Sequence, residues 1–481
     1  MATIIGRKKE QEELLRLFRK NQAQLIAVYG RRRVGKTFLI RETLQQYFTF
    51  YHTGLSPVEL EGQNLLAAQL RSFASTLIRC GLELSRPPKD WFEAFEYLRD
   101  LIESKPKDER QVVFIDEMPW LDTPRSGFIT AFEHFWNGWG AGQDNLMVVV
   151  CGSASSWIID NLINSRGGLY NRVNAEIQLS PFTLQETEQM LRLQDVMWSR
   201  YDILQAYMAV GGIPFYLNYL QPGMSLAQNI DMLYFDKKAK LKDEFERLFS
   251  SIFNHPDNPK AIIRALATRH MGLSRDELIK RTELASCGDF SKTLKALENS
   301  DFIQLYQPFG NTKREKLYRL TDPFCWFYLT QVEGKNRSKD FWKNNENTPT
   351  LYKWRGTAFE EACLLHIDQI KAALGVYGIE SKQSAWTLQG DTDHDGHQIE
   401  LIIERADRVV NLCEMKFYAG EYEVTKAYDA TMRKRITAIR NLVKARQNVQ
   451  TVLVSSFGVK KGMYQGIFQQ SITLDDLFRQ G

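Results

Sequence analysis

Residues 25–29, Leu-Ile-Ala-Val-Tyr, form a short apolar run rich in strand formers that stops at Gly30 and continues as Gly30-Arg-Arg-Arg-Val-Gly35-Lys36-Thr37. Apolar residues at helical spacing follow in Phe-Leu-Ile-Arg-Glu-Thr-Leu, so the segment predicts strand, glycine loop and helix in that order. Glycines suit such a loop because backbone N–H groups must wrap closely around phosphate oxygens at a helix N-terminus, where the helix dipole also favours anions. In that setting Gly30 and Gly35 admit the phosphates, Lys36 reaches the β- and γ-phosphates, and the Thr37 hydroxyl binds Mg²⁺.

A loop of this kind needs partners on neighbouring strands, and two segments qualify. Gln111-Val-Val-Phe-Ile-Asp116-Glu117 reads as a buried strand ending in two acids. Asp116 is expected to hold the metal, and Glu117 to orient or deprotonate the attacking water. A third strand, Leu146 to Cys151, runs into Gly152-Ser153. Ser153 is the candidate to touch the γ-phosphate or the water; an ordinary strand-to-turn serine is the alternative.

At 481 residues the chain has room for about three domains. Its 62 basic and 58 acidic residues nearly balance, which excludes a polybasic coating role. The amino terminus turns charged before any secretory apolar region develops, and the longest apolar stretch, 146–151, is far shorter than the ~20 residues that cross a bilayer. A cytoplasmic protein without a membrane partner is expected. The six cysteines contain no C-x-x-C pair, so neither a zinc framework nor a disulfide lattice is expected.

Further motifs extend the pattern. They are Ile5-Gly6-Arg7-Lys-Lys-Glu10, Asn161 to Arg172 with Gly167-Gly168-Leu-Tyr-Asn-Arg172, Leu179-Ser-Pro181-Phe182, and Gly211-Gly212-Ile213-Pro214. Together with the phosphate loop they make most of residues 3–220 resemble the ATPases of the STAND branch of the AAA+ class, in particular a group best known from archaea and also found in bacteria. The resemblance implies ATP as the nucleotide, an α/β three-layer core over residues 1–182 and a helical lid over 183–245. It implies that Gly6 and Arg7 pack near the adenine, and that Gly212 and Pro214 line the nucleotide from the lid. From the residues alone, Gly-Gly-x-Pro marks a break where the backbone approaches something closely, either a purine or the next helix. Arg166 and Arg172 are candidates for a charge-stabilising arginine or, equally, for surface ion pairs.

Between 246 and 330 the pattern changes to short helices, one from Asn258, one capped by Ser274, and one read as capped by Ser291, followed by apolar stretches 302–306 and 316–320 joined through Gly310. Three helices and a β-hairpin describe a winged helix-turn-helix. Its third helix would present Ser291, Lys292, Thr293 and Lys295 to DNA, or the module would serve as a rigid connector.

Residues 331–350 are polar and weakly patterned, and read as a linker to a last domain over 351–481. There a helix through Glu360, Glu361 and His366 precedes two strands, 398–405 and 409–417. Strand alternation puts Glu414 and Lys416 on one face, with Glu400 beside them across the hairpin. An acid followed by E-x-K on the adjoining strand resembles the PD-(D/E)-x-K nuclease superfamily, with Glu400 where that family usually has Asp. The resemblance implies a restriction-endonuclease-like α/β domain in which Glu400 and Glu414 chelate Mg²⁺, Lys416 activates a water, and Glu360 or Glu361 adds an outer acid. The cation-rich helix through Arg433-Lys434-Arg435 suits a phosphate backbone or simply solvent. Asp391 to Gly396 opens like a calcium loop, but the acid due at its twelfth position falls on Ile402, and His394 and His397 lack a third ligand at suitable spacing.

The expected function is a nucleotide-driven switch using ATP and Mg²⁺, with the carboxy-terminal domain either a DNA-cleaving effector or an inactive nucleic-acid-binding relic. The alternative is a slow ATPase scaffold that recruits a protein partner. Self-association into a homo-oligomer is compatible with both.

Overall fold

The computed structural model describes residues 3–60, 64–165, 167–253, 255–310, 316–388 and 397–480. The chain forms two compact units, Met1–Pro181 with Ser250–Asn254, and Phe182–Phe249 with His255–Gly481. No helix among the described residues is long and apolar enough to cross a membrane.

In the first unit, β1 (Gln24–Tyr29), β2 (Phe48–Thr53), β3 (Gln111–Asp116), β4 (Leu146–Gly152) and β5 (Ala175–Gln178) form one sheet in the order β2-β3-β4-β1-β5. All its pairings are parallel. Strands β1, β3 and β4 are buried along their whole length, which is why they read as continuous apolar runs rather than alternating ones. One sheet face packs Val113, Val148 and Leu25 against the aromatic side chains of Phe73, Trp91, Phe95, Phe128 and Phe132. Because the strands are parallel, the ends of β1, β3 and β4 that carry Gly30, Asp116 and Ser153 open on the same edge of the sheet.

Gly30 is fixed by its surroundings. Its φ is +142°, and a Cβ there would stand 2.1 Å from the carbonyl oxygen of Leu179. Gly30→Ala must therefore displace either the phosphate loop or the chain after β5. The expected cost is about 1–3 kcal/mol, read as a lower unfolding midpoint.

The second unit begins with helices Leu184–Leu193, Arg200–Val210 and Pro214–Leu217. Further along the chain, beyond helices Leu226–Ile230 and Glu244–Ile252, are helices Asp257–Ala267, Arg275–Thr282 and Gly288–Asn299, with a three-stranded antiparallel sheet of β6 (Leu273–Ser274), β7 (Ile303–Tyr306) and β8 (Leu317–Leu320) in the order β6-β8-β7. Ser274 caps its helix with a reciprocal Glu277 box. Ser291 does not cap: its helix starts three residues earlier at Gly288, behind Cys287. Residues 311–315, in the expected wing, lie outside the described residues.

Segment 331–350 is not an unstructured linker. It carries the helix Phe341–Asn345, in which Trp342 is 2% exposed. The backbone N–H groups of Trp342 and Lys343 donate to Asp231 at 2.7 and 3.2 Å. The carboxylate that caps this helix stands more than a hundred residues upstream, so local patterning could not reveal it. The following helix, Pro349–Leu365, starts inside the stretch read as a linker, with Pro349 in its first turn, where a missing N–H costs nothing.

Five strands complete this unit: β9 (Ser381–Leu388), β10 (His397–Arg405), β11 (Val409–Lys416), β12 (Asn448–Ser455) and β13 (Gln470–Ile472), in the order β13-β12-β11-β10-β9. Pairs β9–β10 and β10–β11 are antiparallel, while β11–β12 and β12–β13 are parallel. Helix Lys426–Arg440 makes the crossover from β11 to β12, as a parallel pair requires. The calcium-like stretch 391–396, with His394, lies outside the described residues, as does the side chain of His397.

Candidate functional site

At the edge where β1, β3 and β4 end, the predicted residues of the first unit converge. Gly35, with φ +94°, precedes helix Lys36–Leu44. The Lys36 ammonium is 5% exposed and donates to the carbonyl oxygens of Gly30 and Arg31 at 2.9 and 3.0 Å, tying the loop to its own start. The Thr37 hydroxyl meets both Asp116 oxygens at 3.1 and 3.0 Å. Hydroxyl and carboxylate oxygens at this spacing suit a hard divalent cation, so the residues present fit Mg²⁺.

Burial raises the Asp116 carboxyl above its ordinary range, and the hydrogen bond from Cys151 opposes this. The Cys151 thiol donates to Asp116 Oδ1 at 2.6 Å from inside β4. Burial holds that thiol well above its usual pKa, so it stays a donor. Sequence reading missed Cys151; its place two residues before Ser153 on a fully buried strand was the available signal.

Glu117 has left-handed backbone angles, φ 46° and ψ 46°. Its Oε2 accepts from the backbone N–H of Ser153 at 3.0 Å and from the Ser153 hydroxyl at 2.9 Å. Ser153 is thus a positioning residue for the acid. Ser153→Ala keeps the backbone donor and loses the hydroxyl. A single hydrogen bond to a charged group is worth about 1.5–3 kcal/mol, so kcat should fall about tenfold or more with KM little changed, as steady-state kinetics would register.

Gly6 and Arg7 are both left-handed, with φ 59° and 53°. The Arg7 guanidinium donates to the Ser180 carbonyl at 2.5 Å and lies 3.8 Å from Glu10. Gly212 and Pro214 belong to the second unit. A Cβ on Gly212 would come within 1.9 Å of the Phe182 carbonyl oxygen, and Phe182 N–H donates to Gly212 O at 2.6 Å. Close backbone contact within that unit is thus enough to require the glycine. Arg172 is exposed, and Arg166 lies outside the described residues.

Residues 4–220 match the family described as an ATPase domain predominantly from Archaea. The chain carries a P-loop ATPase core. Two proteins of Methanocaldococcus jannaschii are similar to it. An uncharacterized one is 24% identical over 342 residues, spanning 68% of this chain and 69% of its own length. An uncharacterized ATP-binding one is 54% identical over 42 residues, 9% of this chain and 71% of its own. Among solved structures, a Walker-type ATPase of Pyrococcus abyssi is 20% identical with a TM-score of 0.46, covering 68% of this chain and 96% of that one. The residues grouped at the strand ends lie within the matched stretch, and the carboxy-terminal acids lie outside it.

Those acids do meet. Leu401 pairs with Cys413, so the next step outward sets Glu400 opposite Glu414. Glu414 is fully buried. Its Oε2 accepts from the Tyr428 hydroxyl at 2.6 Å and lies 3.4 Å from Lys416 Nζ, while its Oε1 accepts from Arg435 at 2.5 Å. Burial pushes the Glu400 carboxyl up to about 8, helped by the charges of Glu414 and Glu360. Of the expected outer acids, Glu360 lies close enough to act on Glu400, and both pair with His270, which stands 2.9 Å from Glu360 and 3.2 Å from Glu361. Among the described residues no three His, Cys, Asp or Glu side chains group as a metal site. Both Glu414 oxygens accept from the chain's own donors, Tyr428 and Arg435, much as both Asp116 oxygens do in the first unit. Arg435→Gln leaves Glu414 buried without its guanidinium, and removing one partner of a buried pair costs about 3–5 kcal/mol. Denaturant unfolding of the second unit should report the loss.

Proposed function

We propose that the chain is an ATP-hydrolysing switch whose second unit binds DNA without cutting it. The observation that carries the reading is the grouping of Lys36, Thr37, Asp116, Glu117 and Ser153 at the ends of three neighbouring strands, each acid already held by a donor. In this reading the β- and γ-phosphates of ATP lie in loop 30–37, and the Lys36 ammonium turns from its loop carbonyls to phosphate oxygens. Thr37 and Asp116 would hold Mg²⁺, which supplies charge neutralisation on those oxygens. Glu117, held by Ser153, accepts the proton of the attacking water. Gly6 and Arg7 complete the nucleotide's surroundings from the core. The exposed Arg172 is the described candidate for charge stabilisation, within one chain or across a homo-oligomer.

Residues 246–330 act as a winged helix in this scheme, and 351–481 as a restriction-endonuclease-like fold that has lost cleavage. The ion pair between Glu414 and Arg435 supports the inert reading. The test is a steady-state ATPase measurement with and without duplex DNA, alongside a nicking assay in Mg²⁺. DNA should change the turnover rate and remain intact. Nicking that Lys416→Ala abolishes would restore the cleaving reading, and a rate indifferent to DNA would favour a protein partner.

A further inference from the structure

We propose that the phosphate backbone of DNA is gripped by a basic cleft formed by Lys237, Lys238, Lys240 and Lys242 together with Arg337 and Lys339, in the second unit. The inference rests on the DNA-binding reading above and names the surface responsible.

The segment Asp236-Lys-Lys-Ala-Lys-Leu-Lys-Asp243 puts four lysines within six residues. Such a cluster repels itself, and on an ordinary surface acids would be interspersed to offset it. Here the backbone fixes the lysines in place. Residues 237–242 are not in a regular helix or strand. Ala239 N–H donates to Asp236 O at 3.1 Å, Leu241 N–H to Leu233 O at 3.0 Å, and Lys242 N–H to Ala239 O at 3.3 Å. Leu241 is fully buried and anchors the loop, while all four lysines are exposed.

Facing them across an open cavity of about 770 Å³ are Arg337 and Lys339. The cavity is lined by six cations and one carboxylate, Asp236. The Arg337 guanidinium lies 3.8 Å from the centroid of the Phe341 ring and donates to Gln331 at 2.9 Å, so its charge is held in position. Lys240 Nζ sits 4.4 Å from the Tyr219 ring centroid. Acids close in sequence are spent on other tasks: Asp231 caps helix Phe341–Asn345, Asp340 pairs with Lys343 at 2.8 Å, and Asp243 stands 3.7 Å from Arg247. The cleft therefore keeps a concentrated positive charge on a rigid frame, and a polyphosphate backbone is the ligand chemistry that uses several such charges at once.

The helix expected to read DNA is a weaker candidate for backbone affinity. Its Lys292 has Asp289 at 3.7 Å, and the Ser291 hydroxyl accepts from Arg275.

Binding of the full-length chain to a fluorescent duplex, followed by anisotropy over a series of salt concentrations, tests the assignment. Each phosphate neutralised contributes about 0.9 to the slope of log affinity against log salt. The combined variant K237E/K238E/K240E/K242E should bind at least about thirtyfold more weakly at moderate salt, with a slope flatter by about 3.6 if each lysine meets one phosphate. The pair K292E/K295E should change affinity less than tenfold. The thermal transition of each variant checks its fold, and the charge-neutral K237Q/K238Q/K240Q/K242Q should fall between wild type and the reversed variant. Wild-type affinity in the charge-reversed variant, with loss in K292E/K295E, overturns the cleft and leaves the DNA reading standing. A wild type that binds no duplex at any salt overturns both. Tighter binding to anionic phosphatidylserine vesicles than to the duplex assigns the cleft to a membrane surface and overturns the proposal.

Discussion

Lys36→Ala is expected to lower ATP turnover by about 10²–10³-fold, the scale seen when one preorganised charge facing developing negative charge is deleted. The ammonium bridges Gly30 and Arg31 and is almost fully buried, so its loss acts twice. The phosphates lose their nearest cation, and two loop carbonyls lose the donor that keeps the loop wound. The second effect costs about 1–3 kcal/mol if those carbonyls stay dry, and water entering the truncated side chain's place would reduce it. Turnover and a fluorescent-nucleotide titration separate the two effects. Undiminished turnover would remove the phosphate loop from the mechanism.

Glu117→Gln produces a different pattern. The amide oxygen can still accept from Ser153 N–H and hydroxyl, so the side chain keeps its place, yet it cannot take a proton. General-base catalysis contributes about 10²–10⁴-fold. We expect kcat to drop by that amount while ATP affinity stays within a few-fold of wild type, giving a chain that holds ATP without spending it. Such a variant also isolates the ATP-bound state for DNA-binding measurements. A kcat within tenfold of wild type would mean that Glu117 only positions and that the proton leaves by another route.

The grouping of Gly30, Lys36, Thr37, Asp116 and Ser153 was legible because the chemistry read into them imposes a local spacing. A glycine loop must sit between a strand and a helix, and an acid that reaches the metal must end a neighbouring strand. Glu400, Glu414 and Lys416 were legible for a related reason, since strand alternation and a short hairpin decide which side chains meet. What occupies Glu414 was not. Tyr428 and Arg435 arrive from the crossover helix, and only the tertiary docking of that helix turns Arg435 inward while Arg433 and Lys434 stay exposed. The same limit applies to Asp231 and Trp342, where a distant carboxylate makes a helix out of a stretch that looks like a polar linker. It applies to Glu360 and Glu361, which read as spare acids until His270 is found between them. Cys151 and the lysines of 237–242 were visible as residues; their roles depend on which neighbours the fold supplies.

The tight fit of Gly30 against Leu179 has a mechanical consequence. Leu179 N–H donates to the carbonyl of Tyr29, and Arg7 holds the carbonyl of Ser180. Two residues later the chain passes into the other unit at Phe182. The chain after β5 is thus clamped at the rim of the glycine loop. Under the proposed switch, any shift of that loop must carry Leu179 with it, because no gap separates Gly30 from the Leu179 carbonyl.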